Sequence, residues 1–241
     1  MATYVLVHGG GHGGWCYDKV TDRLKVRGHR VFAPSLTGLG DQTYLLSRSV
    51  NLDTHIDDIV RLLHDQDLTD VILVGHSYGG MVITGVVDLA PDRVAKVVYL
   101  DAANPRNGQS LVDVAGPIIL ATRQFGETRD GIELVLLPDP EAGRFYGVDD
   151  PDDLAWMAAR LSPHPWACFE QPLVLHDEAR TASIPKYHIV CESTIPTRNA
   201  EMIAAARAEG RLWSIDTGHD LMITEPDFVT DALESIDFHP G

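Results

Sequence analysis

The sequence predicts an α/β architecture: a mostly parallel sheet with helices on both faces and one inserted helical cap. Three observations carry this. Apolar runs too uniform for half-exposed strands recur through the first hundred residues and again after Pro185, as expected of parallel strands buried on both faces. Segments with apolar residues at helical spacing separate them, so strand and helix alternate. At residues 104–183 the rhythm breaks into a proline-containing stretch far longer than an ordinary connection.

Taken in order, "TYVLVH" (3–8) is a strand, and "YDKVTDRLKVRG" places Val20, Leu24 and, less regularly, Val26 along a helix. "HRVFAP" is a second strand, and "LDTHIDDIVRLLHD" sets Ile56, Ile59, Val60 and Leu63 on one helical face. Strand "VILVG", helix "MVITGVVDLA" and strand "AKVVYLD" follow. Residues 104–183 hold two helix-like stretches and the aromatic residues Phe125, Trp156, Trp166 and Phe169. From Pro185 the alternation resumes with "KYHIVC", "NAEMIAAARAE", "RLWSI", the loop "DTGHDLM" and the helix "PDFVTDALESI". The expected organisation is one core built from 1–103 and 184–241, with 104–183 as a cap rather than an independent domain.

Composition excludes several classes of partner. With 241 residues, 44% hydrophobic and 22% charged, the chain has ample material for a core. A net charge of −16 argues against nucleic acid and anionic membrane, because no basic stripe could neutralise phosphates. Cys16, Cys168 and Cys191 are an odd set without metal-ligand spacing, expected as reduced thiols in a reducing compartment. No basic region followed by an apolar run marks a signal peptide, and no stretch approaches the ~20 apolar residues of a membrane helix. The expectation is a soluble cytoplasmic protein, with a homodimer as compatible as a monomer.

Two glycine-rich turns carry the chemistry. "VHGGGHGGW" contains Gly9-x-Gly11-x-x-Gly14, formally a dinucleotide fingerprint. That reading needs an acidic residue at the end of the second strand, where this chain has Ala33-Pro34-Ser35. His8 and His12 have zinc-like spacing only if helical, and no third ligand is near. What remains is a loop whose backbone amides approach a developing negative charge. In "VILVGHSYGGMVI", Gly75-x-Ser77-x-Gly79 joins a strand to a helix, the setting in which a strained turn presents a serine nucleophile. A serine needs a base. Of eleven histidines, His29, His55, His64, His164, His176 and His239 read as surface, loop or terminal residues. His188 lies within a strand, and His76 points away from the turn. His219 follows the last strand, where the base of a Ser…acid…His order belongs. The acid is open: Glu192, ending "KYHIVC", leads; Asp101, ending "VVYLD", is the alternative; Asp216 reads as a cap of its own loop.

These pieces resemble the α/β-hydrolase superfamily, and within it bacterial carboxylesterases akin to plant methylesterases and hydroxynitrile lyases. The resemblance rests on "VLVHGGGHGGWCY", "APSLTGLGDQTYLL", "DTHIDDIVRLL", "VILVGHSYGGMVI", "VVYLDAANPRNGQS" and "DTGHDLMITEPDFV". It implies Ser77 as nucleophile, His219 as base, and the amides of Gly10 and Tyr78 as oxyanion hole. The family's acid sits in a "C-T-x-D-x-x-x-P" stretch; here "CESTIP" is two residues shorter, and counting back from Pro196 leaves Glu192 in the acid's place. The lyases carry a threonine in the first loop and a lysine after the histidine, where this chain has Gly9 and Asp220, which disfavours cyanohydrin cleavage.

The expected activity is cleavage of a small, fairly hydrophobic carboxylic ester through an acyl-enzyme, with no cofactor and no metal. Phe125, Trp156, Met157 and Trp166 are the expected pocket residues. Two alternatives stay open: lactone, amide or carbon–carbon cleavage on the same residues, or a ligand receptor on a hydrolase fold.

Overall fold

Six of the apolar runs pair in parallel register into one sheet in the computed structural model, which describes residues 1–239. Strand β1 (Thr3–Val7) leads through helix α1 (Asp18–Val26) to β2 (Arg30–Phe32) at the sheet edge. Helix α2 (Leu52–Asp65) begins at a capping box, in which Asn51 and Thr54 satisfy each other's amides. It returns the chain to β3 (Val71–His76), and α3 (Gly79–Leu89) leads on to β4 (Val94–Leu100).

The segment between β4 and the next sheet strand is less purely helical than expected. It holds α4 (Leu111–Arg123), β5 (Glu127–Arg129), β6 (Ile132–Val135), α5 (Ala142–Phe145), α6 (Pro151–Ala158), β7 (His164–Pro165), α7 (Ala167–Glu170) and α8 (Glu178–Ser183). Strands β5, β6 and β7 form a small antiparallel sheet. They are two to four residues long, too short for alternation to register as a pattern. The Asp88 carboxylate of α3 accepts from the amides of His176 and Asp177, so the chain entering α8 rests on a core helix.

The sheet then resumes with β8 (Lys186–Cys191), helix α9 (Ala200–Ala208) and β9 (Leu212–Ile215), followed by α10 (Leu221–Thr224) and α11 (Pro226–Phe238). The strand order is β2-β1-β3-β4-β8-β9. Period-two alternation divides the strand residues between two cores. Val5, Val7 and Leu73 pack with Ile56 and Ile59 of α2 and Val82 of α3. On the other face, Tyr4, Leu6 and Val74 pack with Val20 and Leu24 of α1 and Leu233 of α11. Among the described residues no helix is long and apolar enough to cross a membrane.

Candidate active site

Strand β3 ends at His76 and α3 starts at Gly79, so Ser77 and Tyr78 must turn the chain in two residues. Ser77 adopts φ +53°, a left-handed conformation costing a non-glycine residue roughly 1–2 kcal/mol. The flanking glycines make the turn possible. A Cβ on Gly75 would lie 2.6 Å from the Gly79 carbonyl oxygen, and one on Gly79 would lie 2.6 Å from that of Val7. Gly79→Ala should therefore force α3 away from β1, destabilising the fold by about 2 kcal/mol. Thermal melting checks this: a midpoint within a degree of wild type would contradict the close approach.

His219 sits in the loop between β9 and α10, held from two sides. The His76 Nε2–H donates to its carbonyl at 3.0 Å, and the Cys191 thiol donates to the Gly218 carbonyl at 2.9 Å. The His219 Nδ1–H donates to Asp101 Oδ2 at 2.6 Å. The carboxylate behind the histidine is thus Asp101, at the end of β4, and not the favoured Glu192. The reason lies in strand alternation. Cys191 ends β8 with its side chain toward the histidine loop, which turns the next residue, Glu192, out to solvent. Among the described residues the Glu192 carboxylate makes no hydrogen bond or ion pair. Asp216 is also exposed.

Asp101 is 2% exposed. Burial pushes its carboxyl upward, but the bond and charge of His219, the nearby Arg198 charge and the Thr194 hydroxyl outweigh that and hold it well below the usual carboxylate range. His76, also buried, is pushed down to about 3, first by desolvation and then by His219, and so is neutral beside His219.

The glycine loop after β1 is fixed by the two histidines that the sequence weighed as metal ligands. His8 Nδ1–H donates to Gly9 O at 2.8 Å, and His8 Nε2 accepts from the Leu36 amide at 3.0 Å. That pattern requires a neutral imidazole, and burial lowers His8 to about 3. His12 Nδ1–H donates to Gly10 O at 2.8 Å, and its Nε2 meets Asp220 Oδ2 at 2.8 Å. Desolvation lowers His12, but Asp220 more than reverses it, and Asp220 is correspondingly held down. The result is a buried ion pair joining the glycine loop to the residue after His219. Tyr146 Oη also donates to Gly10 O, at 3.2 Å. Among the described residues no acceptor engages the backbone amides of Gly10 or Tyr78, both of which border the cavity holding Ser77.

His55 and His164, read from the sequence among the surface, loop or terminal histidines, are fully buried. With Cys168 they bring donor atoms within 4.8 Å of one another, yet three of the four ring nitrogens are already engaged. His55 Nδ1 accepts from the Tyr78 hydroxyl and its Nε2–H donates to Thr37 O. His164 Nδ1 accepts from the Gly11 amide, and burial pushes the Cys168 thiol up. The cluster packs behind Tyr78, and His164 Nε2 is its one ring nitrogen without a partner among the described residues.

Ser77, His219 and Asp101 face one cavity of about 670 Å³. Its apolar wall comes from Leu111, Val114, Ile118 and Ile119 of α4 together with Leu136 and Phe169. Helix α4 bends at Ala115, two residues before Pro117, which removes a helical hydrogen bond. None of the four expected pocket residues lines this space. Phe125 is 79% exposed, Met157 and Trp166 are core residues, and Trp156 packs edge-on against Trp15. Aromatic and apolar composition pointed to the right segment but not to the faces that meet the cavity.

The α/β hydrolase family model matches residues 4–232. A carbendazim-hydrolysing esterase from Nocardioides sp. (strain SG-4G) is 35% identical, over 98% of this chain and 100% of its own length. Methylesterase 2 of Arabidopsis thaliana is 27% identical, over 97% of this chain and 95% of its own. Among solved structures, a Paenibacillus extracellular α/β-hydrolase superposes with TM-score 0.79 at 23% identity, covering 98% of each chain. An Arabidopsis methylesterase structure superposes with TM-score 0.77 at 22% identity, over 99% of this chain and 100% of that one. Six parallel strands, a serine on the turn after β3 and a full-length esterase relative all lead to one assignment: the chain belongs to the α/β-hydrolase family.

Proposed function

We propose that the protein is a serine-dependent carboxylic ester hydrolase working through an acyl-enzyme. The observation that carries the reading is the shared cavity of Ser77 and His219, with His219 Nδ1 bonded to Asp101 at 2.6 Å. Ser77 Oγ attacks the ester carbonyl as His219 Nε2 takes its proton, and Asp101 stabilises the imidazolium. The amides of Gly10 and Tyr78 receive the oxyanion, and the Gly9 and Gly10 carbonyls on either side of the Gly10 residue are tied back by His8 and His12. The imidazolium protonates the leaving alkoxide; water, deprotonated by His219, then releases the acid.

The segment 104–183 serves as the cap over the site, and the apolar side of α4 favours a small, fairly hydrophobic acyl or alcohol group. The relatives named as esterases and methylesterases support ester hydrolysis over the other chemistries of this fold. Three free, buried cysteines support work in a reducing compartment, the cytoplasm.

Incubation with a nitrophenyl acyl ester and with a serine-reactive phosphonate tests the reading. Turnover, with mass-spectrometric labelling of Ser77, is expected. Labelling without turnover of any ester in a chain-length series would favour a receptor on this fold.

A further inference from the structure

We infer that Arg198 is a positioning residue that clamps the carboxylate behind His219, fixing which oxygen faces the base. The inference rests on the reading of Ser77, His219 and Asp101 as the reacting set.

Asp101 comes from β4, whereas the strand beside the histidine loop is β8. The end of β8 supplies no acid; it supplies donors. Asp101 Oδ1 accepts from the Cys191 amide at 3.1 Å and lies 2.6 Å from both Thr194 Oγ1 and Arg198 Nη2. Oδ2 is left to His219 alone. Arg198 is tied at two further points: Nη1 donates to Ala102 O at 2.8 Å and Nε to Thr194 Oγ1 at 3.3 Å. Its planar fork therefore bridges the end of β4 and the turn after β8, a geometry lysine cannot copy. The side chain is 13% exposed and borders the cavity.

The clamp has a second, opposing effect. A cation on Oδ1 offsets part of the negative charge that stabilises the imidazolium. The other titratable groups facing His219 are common to wild type and variants. His76 from β3 is neutral, Cys191 from β8 is a thiol, and Asp220 from the same loop is paired with His12 of the first loop. Position and charge are thus carried by one side chain and can be separated by substitution.

Arg198→Met removes both. Normalised to phosphonate-titrated Ser77, so that misfolded protein does not count, kcat on a short nitrophenyl ester should fall about tenfold to a hundredfold with KM little changed. The acid limb of kcat/KM should move to higher pH by about half a unit to one unit. Arg198→Lys keeps the charge without the fork, so kcat should fall while the acid limb stays at its wild-type position. A merely structural role would lower melting temperature and active-site titre but leave the acid limb and kcat per titrated site unmoved in both variants, and that result overturns the inference. The low-field proton resonance of the His219 Nδ1–H gives a readout independent of turnover. It should shift or broaden in Arg198→Met, whereas an unchanged resonance counts against the clamp even if the protein hydrolyses no ester.

Discussion

Ser77→Ala should lower kcat on a nitrophenyl ester by about 10⁴- to 10⁶-fold and abolish phosphonate labelling. The size follows from what the substitution leaves. The Gly10 and Tyr78 amides, the His219–Asp101 pair and the cavity persist, so a residual rate above bulk water remains from oxyanion stabilisation and binding. Alanine removes only the hydroxyl from a position at φ +53° and creates no new contact, so folding should be close to wild type. A variant that keeps the wild-type rate would mean that the nucleophile lies elsewhere.

The second large effect separates the two carboxylates. Asp101→Asn should cost about 10³- to 10⁴-fold in kcat, while Glu192→Gln should stay within about twofold of wild type. The cause is a tautomer. Cys191 N–H, Thr194 Oγ1 and Arg198 Nη2 surround the Oδ1 position and would hold the asparagine carbonyl oxygen there. The amide NH₂ then faces His219 Nδ1, which must accept instead of donate. The proton moves to Nε2, the nitrogen that should take the serine proton, and the base is blocked. Rates measured side by side check this. A larger loss for Glu192→Gln would return the acid to the end of β8.

The difficulty with the acid shows what kind of information the sequence held. Strands were legible because burial on both faces writes continuous apolar runs, and "KYHIVC" matches β8 residue for residue. The placing of Ser77 after β3 and of His219 after β9, both beside one cavity, was legible because those positions follow strand ends in chain order. Asp101 and Glu192 both end strands, and nothing in the sequence says which side chain is turned toward the histidine. That depends on Cys191 facing the Gly218 carbonyl. The same holds for the cavity wall. Helix α4 lines it because of a bend at Ala115 and its seating over the site, so aromatic content at Trp156 and Trp166 was no guide. His12 and Asp220 stand 208 residues apart, and Arg198 stands 97 residues from Asp101. Pairings at that separation leave no local periodicity. His55 and His164 misled because a histidine in a helix or loop reads as solvated until its bonds to Tyr78 and Gly11 are seen.

One contact between the segment 104–183 and the loop after β9 limits how such an enzyme could be re-engineered. Gly147 and Gly218 meet backbone to backbone, with a Cβ on Gly218 falling 2.1 Å from the Gly147 oxygen. Alongside, the Asp220 amide donates to Tyr146 O, Tyr146 Oη reaches Gly10 O, and the Ser162 amide donates to Gly11 O. This part of the segment 104–183 is therefore a structural wall of the glycine loop and of the loop bearing His219. Transplanting a foreign cap to change substrate range would dismantle those loops unless the graft carried Tyr146, Gly147 and Ser162 with it. Helix α4, by contrast, forms the apolar wall, and among the described residues it makes no hydrogen bond to the glycine loop or to the loop bearing His219. It is the natural seam along which new specificities can be spliced while the chemistry stays in place.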